Sequence, residues 1–383
     1  MPVSSQDIAV DRELSEISGR LPLLRYVTPT NANEARESFL RGEADEPPFV
    51  YRPIPDLAEI GARLAEVDPD TAEDPAVRHL TISLKEELEN RLDLLSARGT
   101  PRFFVAAVEL FGSVEEALYD LALELLDLEP LSPPDSYLSA LEVAEAARAQ
   151  IARYREGYPE MNAEVRVSDT TPGVMVEHGD LYIGSDVLVG ADHVTSLLAH
   201  EVDVHVLTYA NGSAQPLHTL ATGLAGYDQT QEALGVLAEH LAGGLRRKRL
   251  RVLAYRVVAA RMLSDQASFF ETQLRLVELG AGRRTAFTTT MRAYRAGGMT
   301  KDAIYLRGLV RLFQHLAAGG ELAPLFIGKI SLSEAPLISE LREREVLIAA
   351  PLRPRFLDFP LAARRLADIR AGLTITQLGV LSS

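Results

Sequence analysis

Ser196-Leu197-Leu198-Ala199-His200-Glu201-Val202-Asp203-Val204-His205 sets two imidazoles and a carboxylate at the end of an apolar run, in a 383-residue chain without cysteine. Neutral imidazole is the commonest protein ligand for zinc, and a glutamate beside the first histidine is placed to take a proton from water that the ion has made acidic. The stretch therefore reads as the helix of a zinc hydrolase. The usual H-E-x-x-H form puts its histidines four apart on one helical face. His200 and His205 are five apart, which on a regular helix rotates them by about 140° at roughly 100° per residue. Both reach one ion only if the helix carries a single wide turn, a bulge of the kind that recurs at functional sites.

A third ligand has to come from elsewhere. Residues 228–240 read as a second helix, with Glu232 near its start and Glu239 two turns later. Two histidines and one carboxylate make the His₂Glu set of catalytic zinc sites, with the fourth position open. Glu239 lies seven residues after Glu232 on the same face, so it is either the competing ligand or an acceptor that orients His200 or His205. The remaining histidines complete no ligand spacing. His193 and His218 flank the motif, and His79 and His315 read as structural.

These residues carry a wider likeness. His200-Glu201-Val202, His205-Val206-Leu207-Thr208, Asn211-Gly212, Gln215-Pro216-Leu217, Gly223-Leu224-Ala225-Gly226-Tyr227, Gln231-Glu232 and the segment 300–309 resemble the bacterial proteins known by a QEGLA motif, and through them the eukaryotic tyrosine carboxypeptidases that remove the last tyrosine of α-tubulin. The likeness extends over most of residues 15–375. It implies a zincin-like metallopeptidase in which His200, His205 and Glu232 hold Zn2+ and Glu201 is the general base. Three positions depart from the family pattern. Asp203 and Val204 stand where Gly and Thr are usual, and Gln231-Glu232-Ala233-Leu234-Gly235 stands for Q-E-G-L-A. Asp203 could accept a hydrogen bond behind the metal ligands, alter the acidity of the water or face solvent, and the last is expected; Ala233 is expected to widen the ligand helix slightly or to change the substrate fit.

Composition agrees with an enzyme that binds neither nucleic acid nor membrane. There are 54 acidic residues against 39 basic ones, a net charge of −15, whereas phosphate neutralisation needs an excess of Lys and Arg. The basic run Arg246-Arg247-Lys248-Arg249-Leu250-Arg251 reads as a solvated helix face, with the capacity to hold an acidic tail. Without cysteine there are no disulfides and no thiolate ligands. No basic-then-apolar leader opens the sequence and no run of eighteen apolar residues occurs, so a cytoplasmic protein is expected.

Along the chain, helical periodicity covers residues 8–20, 55–67 and 75–98, with the proline-rich stretch 47–55 as an extended connector. An apolar run over 101–128 breaks at Gly112-Ser113, where Ser113 and Glu116 suggest a capping box. Pro130, Pro133 and Pro134 mark a boundary between an N-terminal helical subdomain, 1–135, and a metallopeptidase domain, 136–383, which opens with a helix over about 137–156. Three β segments follow, 163–168, 173–177 and 180–183, the last two joined through His178-Gly179. They predict a small antiparallel sheet beside the metal helix, placed to bind an extended peptide. From the second ligand helix to about residue 318 the pattern is helical. Asn211 and Gln215 are expected to shape the turn that returns the chain to the metal, and the tail with Pro351, Pro354 and Pro360 to wrap the body. The fold class is α+β, mainly helical.

Removing a C-terminal residue requires a cation for the terminal carboxylate and a donor for the oxyanion. Tyr305 and Arg307, in the matching segment, are the leading candidates; Lys301, Arg292 and Tyr294 are candidates for substrate binding. The reading is a zinc metallopeptidase acting on the C-terminus of a protein or peptide, with an acidic or aromatic tail as substrate. The competing reading is a catalytically silent protein of the same fold that binds or regulates.

Overall fold

The computed structural model describes residues 3–128, 136–169, 171 and 173–378. The boundary expected at Pro130, Pro133 and Pro134 lies outside them. The N-terminal helices form where the periodicity places them, at Ser5–Gly19, Leu57–Glu66 and Pro75–Ser96. Ser4 caps the first through a reciprocal box with Asp7, and Asp56 and Asp74 accept from the first free amides of the other two. Two helices that the periodicity does not mark, Leu23–Val27 and Ala32–Leu40, lie between them. Leu14, Ile17, Ile60, Leu64, Leu84, Leu88 and Phe103 form the shared core of this region.

The apolar run divides as expected into Arg102–Phe111 and Glu116–Leu126, with Gly112 at a positive φ of 78° between them. The capping box is corrected: Glu115, not Ser113, stands at the cap, and no side chain bonds there. The Ser113 carbonyl is instead engaged by the Arg307 guanidinium. A true box occurs one helix later, where Ser139 and Glu142 cap Ala140–Gly157. Tyr137–Ser139, expected in that helix, is strand β1.

Strands β2 (Val165–Ser168), β3 (Val174–Glu177), β4 (Asp180–Gly184) and β5 (Leu188–Gly190) follow. β1 and β5 make a small antiparallel sheet, in the register Leu138 to Val189. β3 and β4 form the expected hairpin, closed by His178 and Gly179 at positive φ of 50° and 84°, the backbone of a two-residue turn whose twist suits a hairpin. The expectation of a purely antiparallel sheet is corrected for β2, which runs parallel to β4, giving the order β2-β4-β3. Leu181 and Ile183 turn into the large core with Val143, Ala147 and Ile151 of the preceding helix. The edge strand β3 and the strand β4 both pack beside the histidine helix.

The rest is helical, with the glutamate helix Tyr227–Leu241 central, between the histidine helix and Ile304–Ala317. Asn211 and Gln215 do not shape a returning turn. Asn211 donates to the carbonyls of Phe326 (2.7 Å) and Leu352 (2.9 Å) and accepts from Leu352 N, and Gln215 accepts from Ile348 N. They clamp the C-terminal segment, which does wrap the body as its prolines suggest. No described helix is long and apolar enough to cross a membrane.

Candidate metal centre

The histidine helix is one continuous element of three windings: α-helical over Val194–His200, π-helical over Glu201–Val206 and α-helical over Leu207–Ser213. The wide turn that the five-residue spacing demands is this π segment. Bonding from i to i+5 stacks residues five apart, and it brings the His200 and His205 rings to 5.0 Å between centroids. Thr208 Oγ1 supports the winding from below, 2.7 Å from the Val204 carbonyl and 2.8 Å from Gln231 Oε1.

Glu232 completes the group. Its Oε2 lies 3.7 Å from His200 Nε2 and 3.9 Å from His205 Nε2, and one ligand atom from each of the three residues falls within 4.8 Å of the others. Ligands about 2.0–2.2 Å from a tetrahedral ion stand roughly 3.3–3.6 Å apart, so the three atoms need only a small contraction. The opposite ring nitrogens are already engaged. His200 Nδ1 is 2.8 Å from Glu239 Oε1, and His205 Nδ1 is 3.3 Å from Gln231 Oε1. Donating Nδ1–H to an acceptor fixes the ring orientation and, in the neutral imidazole, leaves the Nε2 lone pair for a metal ion. Of the two glutamates, Glu232 thus faces the Nε2 atoms and Glu239 meets Nδ1 of His200.

The charges at that point act on the two rings in opposite directions. Burial would lower the His200 imidazole, but the carboxylates of Glu232 and Glu239 outweigh it and push it up to about 10. His205 goes down to about 4 through burial and the charge of His200. Glu232 is held well below the usual carboxylate range: burial opposes this, but the His200 hydrogen bond and nearby cations prevail. Burial pushes the Glu201 carboxyl up to about 7, with Glu232 and Glu239 adding to it against His200 and Arg249. A carboxyl poised near neutrality suits proton transfer.

Arg249 holds Glu239, at 3.1 Å from Oε1 and 3.2 Å from Oε2. The reading of residues 246–251 as a solvated face is corrected accordingly. Arg246 pairs with Asp192 at 2.7 Å, Arg249 turns inward, and Arg251 is buried against the carbonyls of Leu126, Leu128 and Leu279. Asp203 is also corrected. It is fully buried, at 0% exposure, and accepts from Gln150 Nε2 (2.5 Å), Tyr154 Oη (2.7 Å) and Phe356 N (3.2 Å). Burial raises its carboxyl to about 6 in spite of these bonds. Gly235 faces His200, and a Cβ there would overlap the ring. Ala233 faces the other way, toward Gly308.

The other candidates divide. Tyr305 stays near Glu232: burial, with the Glu232 carboxylate next, pushes its phenol up to about 12. Lys301 pairs with Asp228 at 2.9 Å, and Glu232 is among the charges that act on it. Arg292 grips Asp302, Nη2 to Oδ1 at 2.8 Å. Arg307 is turned away, bracing the carbonyls of Phe111 (2.7 Å) and Ser113. Tyr294 is held by the Ala267 carbonyl at 2.6 Å, against Phe269. The structure does not bring these two together with the histidines. Three cations that the reading of the sequence missed are Arg249, Arg256 and Lys329, whose ammonium lies 5.2 Å from the Tyr209 ring centre.

A family model described as microtubule-associated tyrosine carboxypeptidase matches residues 37–373. No curated protein and no solved structure matches the chain.

Proposed function

The chain belongs to the microtubule-associated tyrosine carboxypeptidase family, and from that premise we propose that it is a zinc-dependent peptidase removing a residue from the C-terminus of a cytoplasmic protein or peptide. One observation carries the reading: two Nε2 atoms and a carboxylate oxygen converge while both Nδ1 atoms are tied to acceptors. His200, His205 and Glu232 would hold the ion. When bound, zinc supplies the Lewis acidity that polarises a peptide carbonyl and makes water acidic near neutrality.

The remaining work falls to side chains. Glu201 takes a proton on its carboxylate from the attacking water and returns it to the leaving amine. Tyr305 donates its phenolic hydrogen to the carbonyl oxygen as that becomes negative. Arg249 and Glu239 keep the His200 ring in register while charge moves past it. The substrate backbone lies extended along the edge of β3, which leaves one side of its main chain outside the sheet. An aromatic or acidic tail is the substrate class that the family description and nearby cations support.

The test has two parts. Elemental analysis should find about one zinc per chain in the wild type and none in His205→Ala or Glu232→Ala. Glu201→Gln should keep its zinc and lose cleavage of peptides ending in tyrosine. Zinc indifferent to those ligands overturns the site, and cellular function unaffected by Glu201→Gln would favour the binding protein over the enzyme.

A further inference from the structure

Three guanidinium groups and one carboxylate meet where Arg247–Ser264, Arg283–Tyr294 and the turns that follow come together. Arg292 takes both oxygens of Asp302 with its fork, Nη2 on Oδ1 at 2.8 Å and Nε on Oδ2. Arg256 is left with a 3.7 Å approach of Nε to the same Oδ2. The guanidinium of Arg295, only 3% exposed, has one hydrogen bond among the described residues, Nη1 to Thr28 Oγ1 at 3.3 Å. Arg256 Nη1 and Arg295 Nε and Nη2 are buried without a hydrogen-bond partner among the described residues.

This arrangement lacks an anion. Arginine does not shed its proton, so three positive charges face one negative charge. A buried charge is stable only when paired, and neighbouring carboxylates are already engaged: Asp228 by Lys301 and Glu239 by Arg249. Glu232 also acts on Arg292, but it is a ligand of the proposed metal. The crowding is visible at Arg295, which burial and the charge of Arg292 push down to about 10. The cluster borders the metal centre through Tyr305. Arg256 lies over that ring at 4.5 Å from its centre, and Glu232 is the strongest charge acting on the phenol. The side chains of Arg256 and Arg292 retain 13% and 27% exposure, so the cluster is open toward solvent.

We propose that Arg256, Arg292 and Arg295 form the seat of the substrate's terminal carboxylate, with Tyr305 between that seat and the metal ligands. The proposal rests on the peptidase reading above. A planar carboxylate takes parallel N–H bonds from guanidinium forks, and Asp302 holds Arg292 in place for it. A C-terminal amide carries no charge and brings its own N–H donors against the arginines. The seat therefore selects a free chain end and excludes internal peptide bonds.

The experiment uses zinc-loaded Glu201→Gln protein, which binds without turnover, and a fluorescein-labelled peptide ending in Glu-Glu-Tyr, made with a free carboxylate and as the amide. Fluorescence anisotropy should show the carboxylate binding at least about tenfold tighter, as expected for a charge-assisted bidentate contact. Arg256→Gln should reduce that preference to less than about threefold with zinc content intact, and Arg256→Lys, which keeps charge without the fork, should fall between. No preference in the parent, the same preference in Arg256→Gln, or no binding of either peptide overturns the proposal. So does inorganic phosphate occupying the cluster without peptide binding. Repeating the titration on metal-free His205→Ala separates the two readings. A carboxylate preference that persists there and depends on Arg256 upholds the seat even if zinc hydrolysis fails, whereas hydrolysis by otherwise wild-type protein with unchanged KM in Arg256→Gln upholds the enzyme and sinks the seat.

Discussion

Replacing Gly235 by alanine sets two effects against each other. Alanine in place of a mid-helix glycine gains about 1 kcal/mol of helix propensity. The new methyl group, however, would stand inside the van der Waals surface of the His200 ring. Relieving that overlap means moving the ring away from Glu239, now 2.8 Å from Nδ1, or moving the glutamate helix. Overpacking costs about 1–3 kcal/mol, and a hydrogen bond to a charged group is worth about 1.5–3 kcal/mol. The steric term wins, and Gly235→Ala should be destabilised by about 2 kcal/mol, with zinc bound at least about tenfold more weakly. Relief is available on the opposite face. The two helices approach closely where Ala233 faces Gly308, which has no side chain of its own, and a small cavity lined by Gln229, Thr230, Ala233 and Gly308 adjoins that approach. Removing the Ala233 methyl lets the helix roll toward Ile304–Ala317. The double variant Ala233→Gly/Gly235→Ala, which restores the order of small residues in the family motif, should regain at least half the lost zinc affinity although Ala233→Gly alone costs about 1 kcal/mol of propensity. Zinc dissociation constants from competition with a chromophoric chelator, alongside calorimetric melting, measure both. A Gly235→Ala protein that binds zinc like the wild type and melts no lower refutes the reasoning, as does a double variant no better than the single.

Glu239→Ala removes the acceptor of His200 and leaves the half-buried Arg249 without its partner; zinc affinity should fall by roughly 10–100-fold, and an unchanged chelator titration would count against the orienting role. Asp203→Ala leaves the Gln150, Tyr154 and Phe356 donors without their acceptor. At about 1–3 kcal/mol for each buried group left unsatisfied, the melting temperature should drop by several degrees while zinc stoichiometry is kept, and a shift under one degree would show the carboxylate to be dispensable. His240 is buried, and burial and then Arg365 push it down to about 4. Its folded value lies below the ordinary 6.5, so the stability linked to its neutral form is full above pH 6.5 and is lost as pH falls through about 4. The difference corresponds to about 3 kcal/mol. Denaturant titrations at pH 7 and pH 4 should show wild type losing that much more than His240→Gln, and equal losses would remove His240 from the acid response.

The convergence of His200, His205 and Glu232 was legible because chemistry limits which residues can meet in this way. Few residue types bind zinc, and a spacing of five on a helix has one geometric remedy, the wide turn found at Glu201–Val206. The choice between Glu232 and Glu239 was not legible. Both lie on one face, and only the orientation of His200 shows that one meets Nε2 and the other Nδ1. Tyr305 and Arg307 carried a usable signal: two residues apart on a helix means about 200° of rotation, so both could not face the metal. The basic run hid another. Arg249, Leu253 and Arg256 follow the i, i+4, i+7 rule of a single face, and Leu253 is fully buried, so both arginines turn inward with it. The parallel pairing of β2 was beyond the local pattern, since alternation marks a strand but not its partner.

The family departure at Asp203 takes its meaning from the bonds that the π segment makes on its outer side. Its carboxylate points away from the histidines and binds Tyr154 and Gln150 of one helix and the amide of Phe356 in the C-terminal segment. A glycine there has no side chain to make those bonds. The wide turn is a locally costly winding, and here it is gripped from two sides, by Asp203 outside and by Gln231 and Thr208 within. The C-terminal segment is tied to the same helix again at Asn211. Loosening residues 348–356 therefore releases Asp203 and Asn211 together, and His205 lies between them. Residues 348–356 thus help to support the turn that brings His205 to His200 and Glu232.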